Sequence, residues 1–225
     1  MPDIVQGDDL GALIAERVEL EDADVVVVSQ KVVSKAEGRV VRLADVEPSA
    51  AAIELAADHD PRHLEVILGE SARIVRSRPP LVIAETRHGF VCASAGVDRS
   101  NAAGPDTAVL LPVDPDETAR RFSERLGAPV IVSDSFGRPF RHGTTDVAIG
   151  VAGLAPLLDL RGVRDPAGYE LKTTTIAVAD EIAGAAELVM GKTKGIPAAI
   201  VRGLTPSGDG AARDLVMPAE RDLFR

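Results

Sequence analysis

Residues 133–146, Ser-Asp-Ser-Phe-Gly-Arg-Pro-Phe-Arg-His-Gly-Thr-Thr-Asp, hold two acids, two arginines, a histidine, four hydroxyls and two glycines in one short polar stretch. They follow directly on Pro129-Val-Ile-Val132, an apolar run that predicts a buried strand. Rigid scaffolds place their sites on loops at strand ends. Asp134 and Ser135 join a carboxylate to a hydroxyl, a hard-oxygen pair suited to Mg2+ or Mn2+. The guanidinium groups of Arg138 and Arg141 can each clamp a phosphate or a carboxylate. Gly137 and Gly143 allow close approach of a ligand to the backbone. A helix cap or simple turn is the plainer reading of Asp134-Ser135, but no apolar-periodic helix follows to be capped.

Other segments carry weaker signals. Asp98-Arg99-Ser100-Asn101 also leaves an apolar strand, and is as readily an Asx-type turn as a site. Lys31 and Lys35 follow the first predicted strand, and composition does not decide between solvated charges and cations facing a nucleotide. Gly191-Lys192-Thr193 imitates the end of a phosphate-binding P-loop. The glycine needed upstream is Ala186, however, and a helix precedes where the motif needs a strand. His59 and His63 have the spacing of two metal ligands on a helix, yet Pro61 lies between them, which favours surface histidines.

The elements that must hold these groups can be read from periodicity. A capped helix is predicted over 8–18, a buried strand over 24–29, and a loop then a second strand over 31–41. Helices are predicted over 47–57, with Ser49 as cap, and over 61–75. A hairpin is predicted from strands 81–85 and 90–95. Asp114-Pro-Asp-Glu opens a well-marked helix. Strands over 147–152, 157–160 and 196–201 and a helix over 175–190 complete the list, and the tail from Ser207 reads as polar and loosely held. The irregular alternation favours a mixed α+β domain over a regularly wound parallel sheet. One domain over 1–225 is expected, in two lobes meeting near 101–115 with the site between them.

Composition narrows the partners. A net charge of −10 argues against nucleic acid, which needs a basic footprint. Cys92 is the only cysteine, so neither an internal disulfide nor a cysteine zinc cluster can form. No apolar run is long enough to span a membrane and no signal segment is visible, so a soluble, cytoplasmic protein is expected. Aromatics make up only 3%, so the core must be aliphatic.

An ordered series of motifs resembles the coenzyme F420:L-glutamate ligases, also called F420-0:γ-glutamyl ligases. It runs from Gly7-Asp8-Asp9-Leu10 through Val32-Val-Ser-Lys-Ala-Glu-Gly38, Ala95-Gly-Val-Asp-Arg-Ser-Asn101 and Asp134-Ser-Phe-Gly-Arg-Pro-Phe-Arg141. It continues with Asp146-Val-Ala-Ile-Gly150, Asp159-Leu-Arg-Gly162, Ala179-Asp-Glu181 and Glu187-Leu-Val-Met-Gly-Lys192. The resemblance implies a homodimeric, GTP-dependent enzyme with an α+β fold of its own. It would add L-glutamate to the terminal carboxylate of coenzyme F420-0 through an acyl phosphate, releasing GDP and phosphate. It also implies divalent cations, Mg2+ or Mn2+, two of them, with K+ as a further candidate. Asp98, Asp134 and Ser135 match its metal ligands, Ser135 standing where many members have Thr. Gln30, Lys35 and Asn101 match its GTP contacts, Gln30 standing where some members have Ser.

Family members start with a further strand and a Gly-Leu-Pro-type loop that touches the nucleotide. Here Met1-Pro2-Asp3 stands in that loop, so Pro2 and Asp3 are carried over as GTP contacts, and either the start is set too late or the first strand is missing. Some bacterial relatives continue into a nitroreductase-like domain, so a stand-alone ligase is expected. Arg138 and Arg141 are expected on the γ-phosphate or a substrate carboxylate. Asp146 or His142 is expected to take the proton of the incoming amine. Phe136 and Phe140 are the nearest platforms for the deazaflavin ring, with core packing as the plainer role. A non-catalytic nucleotide or deazaflavin binder, and a ligase with another acceptor, remain the alternatives.

Overall fold

The run Val25–Ser29 (β1) is apolar almost throughout because both of its faces are covered. The computed structural model describes residues 1–102, 104–205 and 207–224. Val26 and Val28 pack with Val130, Val132, Leu10, Ile14, Val33 and Ala119 on one side. Val25 and Val27 pack with Ile131, Ile182, Ala183, Ala186 and Met190 on the other. Side chains alternate along a strand, so a two-sided core demands this unbroken β-branched run. The first face is covered by α1 (Leu10–Ala15), α2 (Gln30–Ala36) and α5 (Pro115–Leu126), the second by α6 (Val178–Met190).

β1 is central in a mixed sheet with β7 (Val130–Arg138), β8 (Arg141–Ala152) and β11 (Ala198–Val201), in the order β11-β1-β7-β8. β1 runs parallel to β7, with Val26 opposite Val130 and Ser29 opposite Ser133. It is antiparallel to β11, and β7 and β8 form one long hairpin. The mixed α+β class is as expected.

A third apolar cluster, from Leu43 to Leu110, lies away from this sheet. It gathers α3 (Ala50–Ala56), α4 (Pro61–Glu70), the three-stranded sheet of β3 (Ser71–Arg78), β4 (Leu81–Thr86) and β5 (Val91–Ala93), and the pair β2 (Val40–Arg42) and β6 (Thr107–Val109). Short two-stranded pairing of β9 (Leu158–Asp159) with β10 (Thr175–Ile176) completes the fold. No helix among the described residues is long and apolar enough to cross a membrane.

Five local expectations are corrected. The predicted loop after β1 is the helix α2; its paired valines mask helical propensity, and burial of Val33 supplies the stabilisation. The helix predicted over 61–75 ends at Glu70, where Ser71 Oγ donates to the Ile67 carbonyl at 2.6 Å and the chain enters β3. His63 is partly buried on α4 rather than solvated, and desolvation, with nearby Arg99, lowers its pKa. The polar stretch 133–146 is not a loop but the continuing β7–β8 hairpin, turned at Pro139-Phe140. The tail is not loose either: Asp116 Oδ1 accepts from Val151 N at 2.9 Å and from Ala212 N at 2.7 Å, tying the tail to β8 through α5.

The last residue of the motif Asp146-Val-Ala-Ile-Gly150 has a packing reason. A Cβ on Gly150 would stand 2.1 Å from the carbonyl oxygen of Pro115, at the start of α5. Backbone, not a flexible side chain, would have to move. Gly150→Ala is therefore expected to cost about 2–3 kcal/mol, in the range of overpacked cores. Urea unfolding should show a lower midpoint with an unchanged slope.

Candidate active site

Ser29 and Ser133 sit side by side where the parallel pairing of β1 and β7 ends, at the C-terminal end of β1. That edge is where open sheets with parallel strands bind ligands. β7 carries on past it, and its register with β8 slips there. Val132 faces Gly150 while Ser133 faces Ala148, leaving Ile149 as the extra residue of a bulge. Bulges re-aim the side chains that follow. Beyond this one, Ser133 Oγ donates to Asp146 Oδ2 at 2.9 Å and Ser135 Oγ donates to Asp146 Oδ1 at 2.7 Å. Asp146 is only 5% exposed, and each of its oxygens is matched to a hydroxyl. The proton of Ser135 is thereby turned away, and its lone pairs remain for another partner.

Asp134 lies between the two serines and projects to the opposite face of the strand. Burial pushes its carboxyl up to about 7; the charges of Asp146 and Asp98 add to this, against the Ser135 N–H and Lys31. Asp98 is held by antiparallel bridging of its backbone to Val109, with N–O distances of 3.0 and 2.8 Å. Burial raises its pKa, but the Lys31 ammonium and the Ser100 N–H and hydroxyl together hold it below the usual carboxylate range. Lys31 Nζ is 2.7 Å from Asp98 Oδ2, and Lys192 Nζ approaches the same oxygen at 3.7 Å. Asn101, in the left-handed region at φ 52°, donates from Nδ2 to the Lys192 carbonyl at 3.1 Å.

Lys31, Asn101, Asp134, Ser135, Asp146 and Lys192 open onto a cavity of about 380 Å³. Its walls include Pro2, Asp3, Lys31, Lys35, Asn101, Asp134, Ser135, Asp146, Glu187, Lys192 and Thr193. Asp134 and Ser135 also wall a second cavity of about 170 Å³, beside Asp98, Ser94, Cys92 and Phe136. Burial and the charge of Asp134 push the Cys92 thiol up to about 12, so it stays protonated.

The structure thus places Pro2, Asp3, Lys35, Asn101, Asp134, Ser135 and Asp146 on the larger cavity, and Asp98 with Asp134 and Ser135 on the smaller. It does not bring Arg138, Arg141 or His142 there: all three are exposed at the hairpin tip, where Arg138 Nη2 donates to the His142 carbonyl at 3.1 Å. Gln30 lines neither cavity; it is 1% exposed, and its Oε1 accepts from Ser34 Oγ at 2.9 Å. Phe136 packs edge-on against Phe90, and Phe140, at 89% exposure, meets Phe224 at the tip.

Sequence reading left Lys31 undecided and gave Glu187 and Lys192 no role. Glu187 lies in the last turn of α6, facing the cavity. Burial first, then Asp146, raises its pKa, against Lys192, Lys194 and Lys31. The rejected P-loop string does lie at the cavity, but it leaves the C-terminus of a helix instead of entering an N-terminus.

A sequence model described as F420-0:Gamma-glutamyl ligase matches residues 1–203. The chain belongs to this family. It is 48% identical to the coenzyme F420:L-glutamate ligase of Methanopyrus kandleri, over 97% of this chain and 92% of that protein. It is 45% identical to the coenzyme F420:L-glutamate ligase of Methanothermobacter thermautotrophicus, over 100% of this chain and 96% of that protein. The counterpart in Methanocaldococcus jannaschii is likewise 45% identical, over 96% and 90% of the two chains. This family member is therefore an enzyme of the ligase class.

The donor set fits a hard divalent cation. Asp98, Asp134 and the freed lone pairs of Ser135 are oxygen donors lining the same cavity, and burial, with the charges of Asp146 and Asp98, holds the Asp134 carboxyl well above its usual range. Among the described residues no three His, Cys, Asp or Glu side chains are grouped to hold a metal ion by themselves. That suits Mg2+, which commonly uses one or two carboxylates and completes its shell with water and substrate phosphate.

The raised pKa of Asp134 has a sign that can be measured. Below about pH 4 the carboxyl is protonated in both folded and unfolded chains and contributes nothing. As pH rises from there to about 7, the unfolded chain ionises first, so this group progressively costs stability. Asp134→Asn cannot ionise and should be more stable than the wild type above pH 7 without cations, by on the order of 1–2 kcal/mol. The advantage should vanish near pH 4. Thermal melts across this range check it; a constant difference would exclude the ionisation as its cause.

Proposed function

We propose that the protein joins L-glutamate to the terminal carboxylate of coenzyme F420-0 in a GTP-dependent reaction. The observation that carries this reading is the larger cavity, where Lys31, Lys35 and Lys192 face Asp134, Ser135 and Asp146 in a member of this ligase family. The cavity combines cations for a polyphosphate with oxygen donors for a divalent metal, within a protein of net charge −10. Proposed with it are Mg2+ or Mn2+ as cofactors, a homodimer, a cytoplasmic setting and no nucleic-acid partner.

The chemistry follows from what a carboxylate lacks. It is a poor electrophile, so an oxygen of the F420-0 carboxylate attacks the γ-phosphorus of GTP. The bond to the bridging oxygen breaks and GDP leaves. The glutamate ammonium loses one proton to solvent and the amine attacks the acyl carbon of the resulting acyl phosphate; the amide forms as the acyl C–O bond breaks, and phosphate departs with the second proton. Divalent cations, when bound, neutralise phosphate charge in such a transfer.

The chain's own groups position and balance charge. Asp98, Asp134 and Ser135 would hold the cations, and Asp146 fixes Ser135 through its 2.7 Å hydrogen bond. Lys35 and Lys192 offset phosphate charge, with Pro2, Asp3 and Asn101 at the rim. The smaller cavity, across Asp134 and Ser135, receives the groups to be joined, so that both reactants meet at one wall. Arg138, Arg141 and His142 take no step within this chain's own cavity.

The test incubates the protein with GTP, Mn2+, L-glutamate and F420-0 and follows product mass. One added glutamyl unit and glutamate-dependent GDP release are expected. Asp134→Ala should reduce that release by at least about a hundredfold, the scale for loss of a centre that stabilises developing charge, with folding retained by circular dichroism. GTP binding without any glutamyl product would sink the acceptor assignment. Near-normal turnover by Asp134→Ala would sink the metal assignment.

A further inference from the structure

Asp98 already has a cation. Lys31 Nζ sits 2.7 Å from its Oδ2 and 3.2 Å from Ser100 Oγ, and Ser100 itself donates to both carboxylate oxygens at 2.7 and 2.9 Å. Lys192 comes within 3.7 Å of the same Oδ2. The Lys31 side chain is only 13% exposed, so this is not a swinging surface pair. A divalent cation at Asp98 would have to share that oxygen with an ammonium at hydrogen-bond distance. Like charges so close repel strongly in a poorly hydrated setting. Lys31 also lines the larger cavity, beside Lys35 and Asp134, where a polyphosphate would offer its ammonium other oxygens.

We propose that Lys31 is an exchangeable placeholder for the divalent cation: it neutralises Asp98 in the empty enzyme, is drawn onto the nucleotide's phosphates, and so opens the metal site only when nucleotide arrives. This rests on the reading that Asp98, Asp134 and Ser135 hold a divalent cation. Two independent features of the site lead to the same ordering. The protein's own donors are too few to hold a metal alone, and the best placed of them is blocked by an ammonium. The phosphates remove both obstacles at once, by adding ligands and by rehousing the ammonium. Metal and nucleotide must then bind with positive coupling, and by linkage each tightens the other equally.

The experiment reads Mn2+ binding from the loss of its free electron-paramagnetic-resonance signal, with and without GDP. Wild type should bind Mn2+ weakly alone and at least about tenfold more tightly with saturating GDP, a usual size for coupling between sites. Lys31→Met, which keeps the stem and removes the charge, should bind Mn2+ alone at least about tenfold more tightly than wild type and lose most of the coupling. It should bind GDP more weakly.

A measurement on wild type guards against a variant that does not fold. The Nζ resonance of Lys31, assigned by 15N-lysine labelling, should stay in place when Mg2+ alone is added and shift when Mg2+ and GDP are added together. Unchanged Mn2+ affinity in a folded Lys31→Met, or a Lys31 signal that moves with Mg2+ alone, would overturn the exchange. If wild type bound no Mn2+ even with GDP, the metal reading itself would fall instead.

Discussion

The charges of Asp98 and Asp146 both bear on the buried carboxyl of Asp134, and neighbouring groups answer that repulsion. Three carboxylates in a partly dehydrated place cannot all be ionised without compensation. Each is treated differently. Asp146 is matched by two serine hydroxyls, Asp98 by the Lys31 ammonium and the Ser100 N–H and hydroxyl. Among the described residues Asp134 is offset by the Ser135 N–H and the Lys31 ammonium, and burial leaves its pKa raised to about 7. The one acid left under-compensated is the one that stands in the wall shared by both cavities. Strain of this kind is usual where a site awaits a charged ligand.

The fold makes such crowding affordable by anchoring each acid on a different rigid support. Asp98 is pinned to β6 through its own backbone, outside the mixed sheet. Asp134 and Asp146 come from paired strands of that sheet, re-aimed by the bulge at Ser133. The sheet is held by cores on both faces, and Gly150, next to the bulged Ile149, lets α5 close down to backbone contact. At the other wall, Lys194 Nζ donates to the last carbonyls of α6, Leu188 and Val189, at 3.2 Å. That leaves Lys192, two residues earlier, free to face the cavity.

Much of this was legible in residue types. The β1 and β7 runs, the caps at Ser49 and Asp114 and the α+β class follow from periodicity and turn chemistry, which are local. So does the suspicion attached to Asp98 and Asp134-Ser135, since dense hard-oxygen chemistry after an apolar strand is a local signal. What was not legible is direction. In a strand that continues as a hairpin, the same polar string carries Ser135 into the site and Arg138 and Arg141 away from it to a tip. Proximity in sequence therefore misplaced His142, while Lys31, 67 positions before Asp98, makes the closest ion pair at the centre. The α2 helix was hidden because its stability comes from Val33 packing, a tertiary effect that no seven-residue window contains.

The charge balance draws these threads together. An acidic protein repels a polyphosphate at long range, so capture must rest on a few cations at close range. Here they come from separate elements: Lys31 and Lys35 from α2, Lys192 from the turn after α6. Asn101 joins the Lys192 carbonyl to the segment that carries Asp98, and Lys31 joins Asp98 to α2. A polyanion in the cavity would engage Lys31 and Lys192, which are already tied, through Asp98 and Asn101, into one connected set. Binding would then shift internal pairings instead of adding contacts to a passive surface, and the cost of crowding acids would be recovered as dependence of each ligand on the other.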